Sequence, residues 1–299
     1  MESFLQQLIN GISLGSIYAL VALGYTMVYG VMRLINFAHG DIYMLGAYLG
    51  YYSSRMIQGK LPSHLLDAAA VMLFSMACCA VVGLLMERYA YRPVRRASRL
   101  TMLIIAIGLS LLIENAAQLF FGADPKFFPQ LIPESHIDMG GLSLTNQQVI
   151  VLATALGLMI LLNLFIYRTR TGKAMRAVSF NLDAAKLMGI NTDRIIALTF
   201  ALGSSLAAAG GILVSINIPG IDPLMGVMTG LKAFVAAVLG GIGNIFGAVL
   251  GGLILGLAEV MVSGYGSSTY RDAIAFVILI VILLFKPTGI LGKGQVEKV

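Results

Sequence analysis

Charged residues are scarce in this 299-residue chain, at 11% of all positions, whereas soluble domains have roughly 25%. Hydrophobic residues make up 58% of the sequence, and the mean hydropathy is +0.88. This composition excludes an ordinary soluble domain and predicts a chain that folds in a lipid bilayer. A chain in lipid uses its length for membrane helices, so we expect residues 1–299 to form a single transmembrane domain.

Metal-binding and catalytic patterns are also missing. Cys78 and Cys79 are adjacent in an apolar run, where they cannot easily bridge each other or ligate a metal, so we expect small core residues. His39, His64 and His136 are too scattered for a metal site. No serine stands in a nucleophile-elbow context, and neither H-E-x-x-H nor the phosphate-binding G-x-x-x-x-G-K-[ST] occurs. We therefore expect no enzyme, no metal site, and ATP hydrolysis, if any, on another chain.

A membrane helix needs roughly 20 apolar residues. On this basis, five stretches are predicted to cross the bilayer: 63–86, 101–121, 147–167, 195–218 and 270–285. The segments of about ten alternating residues that indicate a β-barrel are absent. The predicted fold class is therefore all-α, a polytopic helix bundle of about 8 to 10 membrane segments that include broken or half-length helices.

Three other regions are less regular. Residues 4–31 are long enough to span but contain several glycines, and residues 42–52 are too short, so a broken or tilted first pair is expected. Residues 224–262 exceed one span and are interrupted at residues 240–244. We expect two shorter segments there, which are either two steep crossings or half-helices.

Basic residues are concentrated in three regions: 87–100, 168–194 and the tail with Lys286, Lys293 and Lys298. The net charge of +6 and the pI of 9.3 therefore indicate orientation and not a basic face for nucleic acid. The positive-inside rule places these regions in the cytoplasm and the proline-containing, mainly acidic loop 122–146 outside. Residues 224–262 then leave from and return to the outer face, and the N-terminus is external.

Glycine is abundant, at 34 residues, and much of it has the spacing of close helix contacts in lipid. The small residues with this spacing are Gly203, Ala207, Gly211, Gly247, Gly251, Gly252 and Gly256. The run Gly240-Gly241-Ile242-Gly243-Asn244 is expected instead to unwind a helix. Unwound backbone at membrane depth lines a protein-enclosed or water-filled path, so Gly240, Gly241, Gly243 and Asn244 are candidate substrate-path residues; packing alone is the alternative.

Polar residues between apolar runs mark a second part of the candidate path. Asn36, His39, Gly40 and Asp41 form the densest set. Either this segment is a solvated loop with a capping Asp, or it re-enters the membrane and Asn36 and Asp41 satisfy the free N–H groups of a helix start.

Single polar residues also interrupt the apolar segments. Glu114 and Asn115 lie deep within one predicted helix, and Glu259 lies near the outer end of another, so Glu114 is expected to be the more deeply buried and joins the candidate path. Lys232 is expected to extend its side chain back to the membrane interface.

The basic region 168–194 contains a predicted short helix for coupling to an ATPase. Asn181 is a candidate N-cap, Asp183 complements the helix dipole, and Gly189 supplies a C-terminal stop. Ala184 and Ala185 form a small, smooth face, while the apolar side chains of Leu182, Leu187 and Met188 would face water unless a partner's groove covers them. Packing of this helix back on the bundle is the alternative.

Four motifs resemble the membrane subunits of ABC importers for branched-chain amino acids. They are Gly30-Val31-Met32-Arg33-Leu34-Ile35-Asn36-Phe37-Ala38-His39-Gly40-Asp41, Asp183-Ala184-Ala185-Lys186-Leu187-Met188-Gly189-Ile190-Asn191, Ala236-Ala237-Val238-Leu239-Gly240-Gly241-Ile242-Gly243-Asn244 and Lys286-Pro287-Thr288-Gly289-Ile290-Leu291-Gly292. The second motif is similar to the E-A-A-x-x-x-G loop by which importer permeases dock on their ATPases, with Asp183 in the Glu position.

The resemblance implies a multi-pass permease subunit of the bacterial cytoplasmic (inner) membrane. Its implied partners are a second homologous permease, two ATPase subunits that hold ATP and magnesium, a periplasmic or extracellular substrate-binding protein, and membrane lipid; no cofactor is implied on this chain. Leucine, isoleucine or valine is the implied substrate, although importers of urea or short amides have similar motifs.

An ion-coupled secondary carrier, or a channel for a small solute such as urea or an amide, is the alternative function. Asp41, Glu114 and Glu259 would then be ion or proton sites. The dependence of transport on an ATPase partner separates the two functions.

Overall fold

The computed structural model describes residues 2–95, 97–139 and 142–292. Its helices are α1 (Glu2–Met32), α2 (His39–Ile57), α3 (His64–Leu85), α4 (Arg92–Val94), α5 (Arg99–Phe121), α6 (Asn146–Arg168), α7 (Arg170–Phe180), α8 (Leu182–Leu187), α9 (Thr192–Asn217), α10 (Met225–Gly240), α11 (Ile245–Tyr265) and α12 (Arg271–Phe285). A π-helical turn, Met86–Tyr91, joins α3 to α4. The short strands β1 (Lys126–Phe127) and β4 (Gly220–Ile221) pair antiparallel, as do β2 (His136–Met139) and β3 (Leu142–Thr145).

Seven helical segments of the described residues are long and apolar enough to cross a membrane. All five predicted stretches are among them, together with α1 and α11. The helix α2 and the 16-residue α10 add two further segments to the bundle. The prediction of an all-α polytopic bundle with shortened helices is confirmed.

The first helix is not broken. α1 runs without interruption over 31 residues, although it contains several glycines. A Cβ on Gly15 would lie 2.8 Å from the Cα of Leu253, and a Cβ on Gly24 would meet the ring of His39. Of the two expected alternatives, a broken or a tilted first segment, the broken one is wrong, because these glycines allow α1 to touch its neighbours without interrupting the helix.

Small residues bring the other central helices together, as predicted. A Cβ on Gly252 would lie 2.6 Å from the Cα of Ala19, and one on Gly211 would collide with the backbone of Tyr43. Cys79 is fully buried and Cys78 is half-buried, and both are free thiols, which agrees with their expected role as small core residues.

The ends of the helices form two separate faces. At one end, the Gln6 amide donates to the carbonyl of Ser143, and the Gln58 amide donates to that of Gln130. At the other end, Ser179 donates to the carbonyl of Gly30 and Arg95 pairs with Asp193. The basic regions therefore share one face, and loop 122–146 and the start of α1 share the other; Arg96, Lys293 and Lys298 lie outside the described residues.

Candidate functional site

The polar segment before α2 is buried inside the bundle. Asn36, His39 and Asp41 are each at most 2% exposed. A Cβ on Gly40 would collide with the carbonyl oxygen of Gly226, so only glycine permits this approach to α10. The segment re-enters the bundle, and the alternative of a solvated loop is wrong.

The predicted capping roles in this segment are also wrong. α2 starts after Ala38, and no side chain caps it. Asn36 accepts a hydrogen bond from the Tyr91 hydroxyl (2.6 Å), and Asp41 accepts one from Ser110 of α5 (2.5 Å). These carboxylate and amide groups therefore fix neighbouring helices to the start of α2.

Asp41 and Glu114 both belong to the contact between α2 and α5, where Ser110 of α5 donates to Asp41. Glu114 lies one turn beyond Ser110 and is half-buried, and Asn115 next to it is exposed. The expectation that Glu114 is more deeply buried than Glu259 was wrong, because Glu259 is fully buried and Glu114 is not. Two of the predicted path residues, Asp41 and Glu114, thus belong to the same contact between helices.

The break between α10 and α11 lies at the face that carries the basic regions. Gly241 and Gly243 have positive φ angles of 104° and 94°, which end α10 and turn the chain into α11. Asn244 caps α11 by accepting from the Gly247 N–H, and its side-chain amide donates to the carbonyl of Leu291 (2.9 Å). The predicted unwinding is therefore present.

The four residues of the break have different surroundings. Gly240 is buried against Gly247, and Gly241 is buried against the backbone of Gly292. Gly243 and Asn244 instead line a pocket of about 670 Å³ on this face.

The structure does not bring all predicted path residues into one site. Gly40 touches α10 at Gly226 and Gly230, whereas the break follows Gly240. Ten residues of helix separate Gly230 from Gly240, which corresponds to about 15 Å along the axis. Gly240, Gly241, Gly243 and Asn244 are therefore at the face that carries the basic regions, and the cluster around Asp41 lies deeper in the bundle.

A buried group of charged residues was not predicted as a unit. Glu259 accepts hydrogen bonds from the Tyr18 hydroxyl (2.8 Å), from Lys232 (2.9 Å) and from Arg271, and Lys232 also pairs with Asp272 (2.6 Å). Lys232 is only 6% exposed, so the expectation that it extends to the interface was wrong. The separate acidic and basic positions were visible in the sequence, but their pairing between three helices was not.

A second buried carboxylate also escaped the sequence reasoning. Glu87, in the π-helical turn, is fully buried and pairs with Arg92 (2.8 Å) and Arg95 (2.5 Å). Arg95 also pairs with Asp193 at the start of α9 (2.6 Å). Internal ion pairs thus neutralise part of the positive charge of residues 87–95.

The short helix α8 has the predicted ends. The Asn181 side chain accepts from the backbone N–H groups of Asp183 and Ala184, each at 3.0 Å, and Gly189 has a φ of 80°. The helix therefore begins after Asn181 and ends before Gly189, as the sequence predicted.

The faces of α8 differ from the prediction. Ala185 is 4% exposed, and Ala184 is exposed, so they do not form one smooth outward face. The exposed apolar residues are Phe180 (87%), Leu187 (88%) and Met188 (83%), while Leu182 is half-buried. We call Phe180, Leu187 and Met188 the apolar coupling surface.

Comparisons with known proteins agree with this architecture. A family model described as "Branched-chain amino acid transport system / permease component" matches residues 7–283. The high-affinity branched-chain amino acid transport system permease protein LivH of Escherichia coli (strain K12) is 45% identical, and the alignment covers 99% of this chain and 98% of LivH. The corresponding BraD protein of Pseudomonas aeruginosa is 43% identical with the same coverage.

One solved structure shares the fold. It is a metal-chelate type ABC transporter in an inward-facing conformation, with a TM-score of 0.50 and 16% identity over 93% of this chain and 85% of the other. At this identity the likeness supports the fold alone. The family model and the two relatives cover nearly the whole sequence, and the chain therefore belongs to the permease components of branched-chain amino acid transport systems.

Proposed function

We propose that this chain is the membrane-spanning permease subunit of an ATP-driven, binding-protein-dependent importer of leucine, isoleucine and valine. It forms half of the translocation path, and a second, homologous permease forms the other half. Two ATPase subunits bind at the inner face, and a substrate-binding protein docks at the outer face. The complex is placed in the bacterial cytoplasmic (inner) membrane.

The observation that carries the proposal is the apolar coupling surface on the basic face. Phe180, Leu187 and Met188 expose most of their side chains next to a capped two-turn helix. Large apolar side chains that project from a positively charged cytoplasmic face indicate a protein partner. Since the chain has no phosphate-binding loop, we assign ATP and magnesium to that partner.

The path through the membrane is proposed to pass Asp41, Glu114 and the neighbouring residues Asn36, His39 and Gly40. Glu114 is half-buried on α5, a helix that is otherwise largely exposed in this single subunit. An ionisable group on such a helix face is costly in lipid. It is better accommodated at a water-filled path between this chain and the second permease.

Uptake by proteoliposomes tests the function. The chain, co-expressed with its ATPase, second permease and binding protein, should take up radiolabelled leucine only when ATP is enclosed with the ATPase. Isoleucine and valine should compete with leucine, whereas urea and acetamide should not. Uptake driven by an ion gradient with this chain alone would instead support an ion-coupled carrier or channel and contradict the proposal.

A further inference from the structure

Among residues 2–95, 97–139 and 142–292, those that line the pocket beside the α10–α11 break include two arginines and no acidic residue. Its volume is about 670 Å³, and its charged lining residues are Arg33, which follows α1, and Arg176 of α7. Within the described part of the chain, neither guanidinium belongs to an ion pair. Arg95 and Arg271, by comparison, each bind a buried carboxylate. The pocket therefore offers uncompensated positive charge.

The backbone places Arg33 in this pocket at an energetic cost. Its φ is 53°, a left-handed conformation that no other non-glycine residue adopts within residues 2–95, 97–139 and 142–292. Its N–H still donates to the carbonyl of Tyr29 (2.7 Å), one turn earlier in α1, and Tyr29 also lines the pocket. Strained residues of this kind often lie at ligand sites.

Aromatic side chains flank the pocket. The rings of Tyr167 and Phe246 have centroids 6.3 Å apart, and both side chains are substantially exposed. The guanidinium of Arg176 lies 5.0 Å from the Tyr167 ring centroid. Tyrosine near a basic inner face is typical of the boundary between lipid headgroups and acyl chains, so we expect the pocket to lie at headgroup depth.

Exposed apolar residues continue from these aromatic residues toward the membrane interior. Leu164 and Ile160 precede Tyr167 by three and seven residues on α6, and Leu250 follows Phe246 by four residues on α11. Residues with these spacings share one face of a helix. All three side chains are exposed, so each helix continues the pocket with an apolar surface that suits an acyl chain.

We propose that this pocket binds the phosphate headgroup of an anionic phospholipid from the cytoplasmic leaflet. Arg33 and Arg176 contact the phosphate, because guanidinium groups match its oxygen atoms and basic pockets between membrane helices recognise such headgroups. A zwitterionic amino acid fits less well, since its ammonium group would meet no carboxylate among the described lining residues. The proposal does not depend on the transported substrate.

The bound headgroup would also fix the position of the coupling region. Arg33 directly follows the end of α1, and Arg176 belongs to α7, which leads into α8. The Ser179 hydroxyl already donates to the carbonyl of Gly30 (2.6 Å) between the same two elements. A phosphate that bridges the two arginines would strengthen this junction.

Fluorescence quenching tests the proposal. The chain contains no tryptophan, so Phe246→Trp creates a single reporter at the pocket in the purified full-length chain. We reconstitute this variant in phosphatidylcholine vesicles with a minor fraction of phosphatidylglycerol, one of the two lipids carrying brominated chains. Brominated phosphatidylglycerol should quench more strongly per molecule, and Arg33→Gln or Arg176→Gln should each lower this preference about fivefold, since each basic group near the leaflet contributes about that factor.

Lys173→Gln is the matched control, because Lys173 is an exposed basic residue of α7 that does not line the pocket. This control should keep the preference. Arg33→Lys and Arg176→Lys keep the charge but lose the guanidinium geometry, so each should lower the preference by less than the Gln variant does, and they test the site if the Gln variants do not insert. Three results would each overturn the proposal: equal quenching by the two lipids, an equal loss in the Lys173 control, or abolition of the preference by excess inorganic phosphate, which would indicate a site for free phosphate.

Discussion

At the scale of single residues, the most constrained group is Glu259. Its carboxylate is fully buried and held by donors from α1, α10 and α12, namely Tyr18, Lys232 and Arg271. A buried charge that loses its partner costs several kcal/mol. Removing one member of the group is therefore expected to destabilise the chain strongly, even if replacing all of its members with apolar residues would not.

Glu259→Gln should lower the free energy of unfolding by about 3 kcal/mol or more, because it leaves the buried Lys232 with only the half-exposed Asp272 as a partner. Thermal denaturation in detergent measures the effect. Asp272→Asn is the control and should cost less than about 1 kcal/mol, since the Asp272 side chain is 53% exposed. Equal losses of unfolding free energy in the two variants would show that the burial of Glu259 does not increase its contribution to stability.

The two positive-φ glycines of the break should respond differently to alanine. Both substitutions place a Cβ on left-handed backbone, at about 1 kcal/mol each. On Gly241 the Cβ would also lie 2.5 Å from the backbone nitrogen of Gly292, whereas on Gly243 the nearest atom is 4.0 Å away. Gly241→Ala should therefore destabilise the chain by a further 1–3 kcal/mol, which is about the cost of overpacking. Thermal denaturation of the two variants measures the difference. Equal melting temperatures would contradict the close contact between Gly241 and Gly292.

At the scale of elements, α8 shows how local signals and packing divide their roles. Asn181 and Gly189 determine where the helix starts and ends through their own chemistry. The bundle decides which face is hidden, and it hides Ala185. Ala185→Arg would therefore disturb the bundle itself and cannot report on an ATPase contact alone.

Leu187→Ser and Met188→Ser test the apolar coupling surface directly. Each should reduce co-purification of the ATPase about tenfold or more, since a buried interface anchor contributes about 2 kcal/mol or more. The stability of the chain itself should change by less than about 0.5 kcal/mol, because both side chains are exposed. Lys173→Ser, on the neighbouring α7, serves as the control. Normal ATPase retention in both variants would remove this surface from the docking interface.

At the scale of the whole molecule, the ends of the helices define an inner and an outer face. Loop 122–146 packs with the start of α1, through Gln6 and Ser143, at the face opposite α7 and α8. The positive-inside rule assigns the face with α7 and α8 to the cytoplasm. This arrangement gives an outer surface for a binding protein and an inner surface for an ATPase.

Cysteine labelling checks this orientation in intact cells. In a background with Cys78→Ala and Cys79→Ala, Asp124→Cys should react with an impermeant maleimide from outside, whereas Lys173→Cys should react only after permeabilisation. Both positions are exposed. Arg95 would be a poor position, because it pairs with Glu87 and Asp193. Reaction of Lys173→Cys from outside, with Asp124→Cys reacting only after permeabilisation, would reverse the assignment, and reaction of both from outside would contradict the two opposite faces.

The sequence by itself determined the bilayer environment, the positions of five membrane helices, the break at residues 240–244 and the caps of α8. These features depend on local chemistry: an apolar run of sufficient length, glycines that adopt positive φ, and an Asn side chain that binds free N–H groups. The shared face of the basic regions also followed, since charge distribution along the chain controls membrane orientation.

Only the tertiary structure decided which side of each helix faces inward. In a soluble protein the polar face of a helix reveals its rotation, but a helix in lipid is apolar all round, and its sequence carries no such contrast. The burial of Glu259, the pairing of Lys232, the inward position of Ala185 and the contact of Asp41 with Ser110 all depend on that rotation. It is fixed by close contacts between small residues of neighbouring helices, such as Gly252 against Ala19, which exist only after the chain has folded.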